Sequence, residues 1–218
     1  MVACLRPGAG VGRLSRRGRL IAAAAFLLLL FALDAWTALG GASARIDRFA
    51  LVWLRDPGDA RSLIVPAWTL RAAIAITEIG GATIRAPIAV AAAVWLYVAG
   101  RRREAIAFTL AVASAAIALP FIKILFARAR PDAMWQLVAE GKQSFPSGHA
   151  LGAAVTFPLM GLFLRGRGAM LAGVALALAI GLSRVFLGVH WLSDVAGGWL
   201  LGAAWACATL ALMGTRRR

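Results

Sequence analysis

Apolar runs of membrane-spanning length recur along the chain, and they restrict it to folds that lipid can surround. Segments near residues 20–40, 81–99, 104–127, 148–164, 169–187 and 191–213 approach or exceed the roughly 20 residues that cross a bilayer as helix. Alternating ten-residue strands of the barrel kind are absent from the pattern. Of the 218 residues, 61% are hydrophobic and 15% charged, more apolar character than a soluble domain can hide in one core. The expected class is therefore all-α, a six-transmembrane-helix bundle. Residues 20–213 are expected to form one membrane domain, with basic segments 1–19 and 214–218 flanking it.

Two segments need separate treatment. Arg13, Arg16, Arg17 and Arg19 precede the first run and give it the look of a signal peptide. That run is too long for a signal core, and no small-residue cleavage site follows promptly, so a retained first helix is expected. Residues 63–80 are apolar but carry Pro66, Arg71 and Glu78. Seven residues apart, Arg71 and Glu78 share one helical face, which predicts an amphipathic helix at the interface, with a seventh span as the alternative.

The formal charge of +15 suggests nucleic acid at first sight, but the cations sit in short clusters between apolar runs. Such clusters read as topology signals, and no basic helix or aromatic-interleaved stripe supports nucleic-acid binding. Six spans put Arg16, Arg17 and Arg19, the Arg101, Arg102 and Arg103 group, Arg165 with Arg167, and Arg216, Arg217 and Arg218 on one side, predicted to be cytoplasmic. The two cysteines, Cys4 and Cys207, are far apart in different environments, so neither a disulfide nor a metal site is expected.

Segment 41–80, the loop 128–147 and the turn near 184–191 then fall on the extracytoplasmic side, and the last two hold nearly all the unusual polar residues. Residues 149 and 184 share a face whatever the N-terminal count, because two spans joined by Arg165-Gly166-Arg167-Gly168 separate them. Three clusters meet there. In Lys123-Ile-Leu-Phe-Ala-Arg-Ala-Arg130-Pro131, seven residues of helix bring Lys123 and Arg130 to one face about 10 Å apart. The pair can converge on one anion or snorkel at a helix end. Pro131 disfavours helix at Arg130, so the helix is expected to stop there. In Pro146-Ser147-Gly148-His149, Ser147 suits an N-cap, and the first-turn N–H groups beside Gly148 suit an oxyanion or phosphate. An ordinary capped helix with an interfacial histidine reads equally well. In Ser183-Arg184-Val-Phe-Leu-Gly-Val-His190-Trp-Leu-Ser-Asp194, His190 and Asp194 stand four apart at a helix start. The carboxylate can accept from one ring nitrogen and free the other as a nucleophile, or the two can form a helix-end ion pair.

Taken together, Lys-x6-Arg-Pro, Pro-Ser-Gly-His and Ser-Arg-x5-His-x3-Asp resemble the signature of the type 2 phosphatidic acid phosphatase superfamily, with all eleven positions matching in order. The resemblance covers about residues 80–213, and no motif assigns 41–80. It implies a metal-independent, cofactor-free phosphatase acting on a lipid phosphate or pyrophosphate in the plasma membrane. His190 is implied as nucleophile, Asp194 as its orienter and His149 as acid and base. Lys123, Arg130, Ser147, Gly148 and Arg184 are implied as the phosphate seat. Transfer to an acceptor hydroxyl, a vanadate-dependent haloperoxidase, and a catalytically idle transporter or scaffold are the alternatives. Neither the lipid nor the oligomeric state is written in any motif.

Overall fold

A computed structural model describes residues 14–214, so Cys4, Arg13 and the Arg216, Arg217 and Arg218 tail lie outside the described residues. Among the described residues the chain forms eight α-helices and one two-stranded hairpin: α1 (Arg16–Leu39), α2 (Ala44–Val52), β1 (Arg55–Asp56), β2 (Asp59–Leu63), α3 (Ala67–Gly80), α4 (Ala82–Val98), α5 (Arg102–Phe126), α6 (Gly148–Arg165), α7 (Arg167–Phe186) and α8 (Leu192–Met213). The expected helical class holds, and a helix stands at each of the six apolar segments. The hairpin is an addition. It is too short to produce the period-2 hydrophobic signal by which strands are read.

Length and composition alone pick out fewer than six spans. Four helices, α1, α5, α7 and α8, are long and apolar enough to cross a membrane, and α3 with α4, bent by 49° at their junction, make a fifth as a pair. At 17 residues, α4 rises only about 26 Å, short of a roughly 30 Å hydrocarbon core. The helical part of the apolar 63–80 stretch is α3, which leads through Gly81 into α4. Arg71 and Glu78 do share its exposed face.

Helix α6 is the axis of the bundle, packed against α4, α5, α7 and α8. Most of its residues are buried, Ala150, Leu151, Ala153 and Val155 almost completely. A helix apolar all round belongs inside, and α6 is sheathed by helices whose outer faces are apolar too. On α1, Phe26, Leu29 and Trp36 remain 60%, 65% and 73% exposed, as suits side chains that meet lipid. The connection from α6 to α7 is Gly166 alone, at φ 89°, a left-handed conformation that disfavours any residue with a β-carbon.

The bundle has two unlike ends. At one, Arg101 donates to the Phe163 carbonyl near the end of α6, and Arg103 Nη2 donates to the Met213 carbonyl at 3.2 Å. At the other, the starts of α6 and α8 are joined by the Ser147 N–H donating to the Asp194 carbonyl at 2.8 Å. Phe145, fully buried, stacks on Phe31 at 5.7 Å and meets Phe126 edge-on at 5.0 Å, anchoring the loop that leads into α6.

Candidate active site

His190 lies in the turn between α7 and α8, one residue before the Trp191 N-cap, and not on the helix as the four-residue spacing predicts. The contact with Asp194 forms all the same, through cap geometry. Asp194 is the third residue of α8 and turns back to accept the Trp191 N–H at 2.9 Å, which brings its Oδ2 to 3.3 Å from His190 Nδ1. Because the carboxylate only accepts, the ring proton belongs on Nδ1, leaving the Nε2 lone pair free. Arg130 Nη1 stands 3.0 Å from that Nε2.

His190 is 1% exposed. Burial pushes its imidazole down to about 4; Arg130 and Lys123 add to the shift and the Asp194 carboxylate opposes it. The ring is therefore neutral at physiological pH.

Lys123 and Arg130 do approach the same place, for a different reason than a shared helical face. Helix α5 stops at Phe126, with Ala127 in the left-handed conformation, so Arg130 reaches the site from an extended loop segment. Lys123 Nζ donates to the Gln143 carbonyl at 2.8 Å, while Arg130 donates through Nε to the Gly141 carbonyl and through Nη1 to the Val189 carbonyl, each at 2.5 Å. Both cations hold the loop that precedes Pro146. Arg184, 2% exposed in the last turn of α7, donates to Thr77 Oγ1 at 2.9 Å and to Glu140, and its Nε is buried without a partner.

Ser147 occupies the N-cap position of α6 but makes no side-chain cap bond, and its buried Oγ has no partner. The predicted capping role gives way to a free hydroxyl beside the open N–H groups of the first turn. At Gly148 a β-carbon would lie 2.8 Å from Leu119 Cδ2, so a larger residue there would have to displace the tip of that side chain. His149 follows in the first turn. With Arg184 and Glu140 it lines a cavity of about 480 Å³ whose other walls include Ile74, Ile84 and Val138.

Several groups had no assignment from sequence. Glu140, from the loop, pairs with Arg184 and lies 3.7 Å from Arg130 Nη2, so one carboxylate bridges both guanidiniums. Burial raises its pKa, but Arg184 and Arg130 outweigh that and hold it below the usual range. Ser144 donates to Asp194, and Arg128 Nη1 donates to Asp194 Oδ1 at 2.6 Å. Arg128 stands inside the first motif, and only its basic character marks it. Asp47, which pairs with Arg128, has no sequence signal at all. A larger groove of about 580 Å³ between α1, α5 and α8 is apolar and distant from these residues. Among the described residues no three His, Cys, Asp or Glu side chains are grouped to hold a metal ion.

Several known proteins are similar to this chain. Phosphatidylglycerophosphatase B of Bacillus subtilis (strain 168) is 29% identical over 187 residues, spanning 81% of this chain and 86% of that protein. Undecaprenyl-diphosphatase of Sulfolobus acidocaldarius is 43% identical over 63 residues, 28% of this chain and 29% of that protein. Among solved structures, the transmembrane PAP2 type phosphatidylglycerolphosphate phosphatase from Bacillus subtilis superposes with a TM-score of 0.76 at 25% identity, covering 89% of this chain and 98% of that one. Aquifex aeolicus LpxE shares the fold at a TM-score of 0.56 and 21% identity, over 67% of this chain and 88% of that one. The PAP2 superfamily model matches residues 104–218, which contain all three motifs, and with the apolar helices around them this chain belongs to the PAP2 superfamily as a helical membrane protein.

Proposed function

We propose that this chain is a metal-independent phosphatase that hydrolyses a phosphomonoester or pyrophosphate on a membrane lipid through a phosphohistidine at His190. The observation that carries the reading is the polarised His190 ring, with Nδ1 on Asp194 and Nε2 turned toward the Arg130 guanidinium. Arg130 moves its hydrogen bond from Nε2 to a phosphate oxygen as substrate binds, and the freed lone pair attacks phosphorus in line. The P–N bond forms as the P–O bond to the lipid breaks, and His149, protonated in the complex with the anionic substrate, gives its proton to the departing oxygen. A water then attacks the phosphohistidine, His149 takes a proton from it, the P–N bond breaks, and His190 leaves neutral.

Lys123, Arg130 and Arg184, with Ser147 Oγ and the Gly148 N–H, hold the non-bridging oxygens as charge redistributes. The Glu140 carboxylate, paired with Arg184 and near Arg130, supports the idea that these two guanidiniums receive an anion. The cavity beside His149, polar at Arg184 and apolar at Ile74 and Ile84, suits a headgroup whose tails remain in lipid. The names of the relatives put phosphatidylglycerol phosphate and undecaprenyl pyrophosphate first as substrates, with phosphatidic acid and lipid A phosphates in the same chemical class.

In this reading residues 20–213 form one membrane domain of six spans. The basic loops are cytoplasmic and His190 is at the extracytoplasmic face of the plasma membrane.

Phosphate release by the purified chain in EDTA, across a panel of prenyl, glycerol and lipid A phosphates, tests the function. Base quenching with labelled substrate tests for the phosphohistidine. The wild type is expected to turn over at least one lipid without added metal, and His190→Ala to lose about a thousandfold or more in kcat. Normal turnover by His190→Ala, or strict dependence on a divalent ion, overturns the mechanism.

A further inference from the structure

The strongest unassigned cluster lies behind the His190–Asp194 pair. Asp47, in the first turn of α2, is 1% exposed. Its Oδ1 accepts the Ser193 N–H at 2.8 Å, and its Oδ2 accepts Ser193 Oγ at 2.7 Å and Ser43 Oγ at 2.7 Å. The same Oδ2 accepts Arg128 Nη2 at 2.9 Å. Arg128 Nη1 in turn donates to Ser193 Oγ at 2.7 Å and to Asp194 Oδ1 at 2.6 Å. The two oxygens of Asp194 thus have separate duties: Oδ1 is held by Arg128, while Oδ2 faces His190.

We propose that Asp47 and Arg128, joined through Ser193, are positioning residues that fix the Asp194 carboxylate and through it the His190 ring. The segment that carries no family motif therefore supports the catalytic centre. This inference rests on the reading of His190 as nucleophile. A guanidinium is planar, so a single Arg128 can hold two carboxylates in fixed relation, which the point charge of lysine cannot. Asp47 has an electrostatic part as well. Paired with Asp194 alone, Arg128 would draw off the negative charge that His190 needs when it becomes a cation. By sharing the guanidinium, Asp47 leaves Asp194 more of its charge. Asp47 also satisfies a first-turn N–H of α8, so the test has to separate catalytic positioning from helix capping.

The experiment uses the full chain in detergent, with turnover read as radiolabelled phosphate release over hours so that a ten-thousandfold slower enzyme is still followed. Asp47→Asn keeps an acceptor for the Ser193 N–H but removes the charge and puts an NH2 donor where Oδ2 accepts from Arg128, Ser193 Oγ and Ser43 Oγ; it is expected to lower kcat about tenfold or more with KM within about threefold. Arg128→Gln is expected to do the same, and Arg128→Lys to recover part of the loss. In an Asp194→Asn background neither change should alter kcat more than about twofold, because both act through Asp194. Wild-type kcat in Asp47→Asn, or losses that multiply in full with Asp194→Asn, overturns the inference. If Arg128→Gln does not fold, Asp47→Asn and Arg128→Lys decide by the same criteria. Were His190→Ala active, the nucleophile reading would fall and this inference with it; were His190→Ala dead while Asp47→Asn kept wild-type kcat, this inference alone would fall.

Discussion

His190 sits in a balance of charges that sets its working range. Burial, Arg130 and Lys123 keep the ring neutral down to about pH 4, while Asp194 opposes them. In the proposed mechanism the neutral ring is the nucleophile, so kcat/KM, corrected for ionisation of the substrate, is expected to fall as pH drops through about 4 and not through the ordinary 6.5. Arg130→Gln removes a repelling cation and should move this acid limb upward; an unmoved limb in a pH–rate profile would assign it to another group. The same shift has a stability consequence. Between about pH 6.5 and 4 the unfolded chain binds a proton that folded His190 refuses, so stability falls as pH drops through that window. Glu140 pairs with Arg184 and Arg130, and in the proposed mechanism it would compete with substrate for both. Glu140→Gln is therefore expected to lower KM by about threefold to tenfold and to sharpen inhibition by inorganic phosphate, both read from initial rates. A raised KM would mean that the carboxylate pre-orients the guanidiniums. The residue types and order of His149, His190 and Asp194 were legible in the chain, because motif spacing is a one-dimensional property. Asp47 was not, since an isolated aspartate in an unassigned segment becomes informative only when folding carries it to Arg128.

At the scale of elements, close packing at the α6–α8 crossing joins the second and third motifs. A β-carbon on Gly198 would lie 2.7 Å from the Ser147 carbonyl oxygen and 3.1 Å from the Leu151 amide nitrogen, so backbone has to yield, not a flexible side-chain tip. Gly198→Ala is expected to cost about 1–3 kcal/mol of stability and to lower activity at temperatures where the protein is still folded. Thermal unfolding in detergent beside an activity assay checks both, and an unchanged melting temperature with full activity would show that the helices have slack. The expected helical bridge from Lys123 to Arg130 failed at this scale. Once α5 ended at Phe126, the two cations converged by gripping carbonyls of the 141–144 loop and of Val189. A short-range periodicity argument sees only one element, and here two elements and a loop share the work. The α3–α4 bend was equally hidden, because Gly80-Gly81 marks a weak point in a helix without giving its angle.

At the scale of the molecule, the two ends of the bundle predict an orientation. In a chain with Cys4 and Cys207 replaced by serine, Asp59→Cys in the hairpin is expected to react with a membrane-impermeant maleimide from outside intact cells, and Arg167→Cys only after permeabilisation. The reverse labelling would invert the proposed topology. The sequence by itself determined the helical membrane class and the order of the motifs, because hydropathy and motif spacing are properties read along the chain. Tertiary structure alone decided that α3 and α4 form one bent pair, that Ser147 leaves its hydroxyl free, and that Asp47 and Arg128 stand behind Asp194. Each depends on the distance and direction between side chains remote in sequence. Such distances are set only when α2, α5, α6 and α8 pack together, and burial then makes every unpaired charge among them costly.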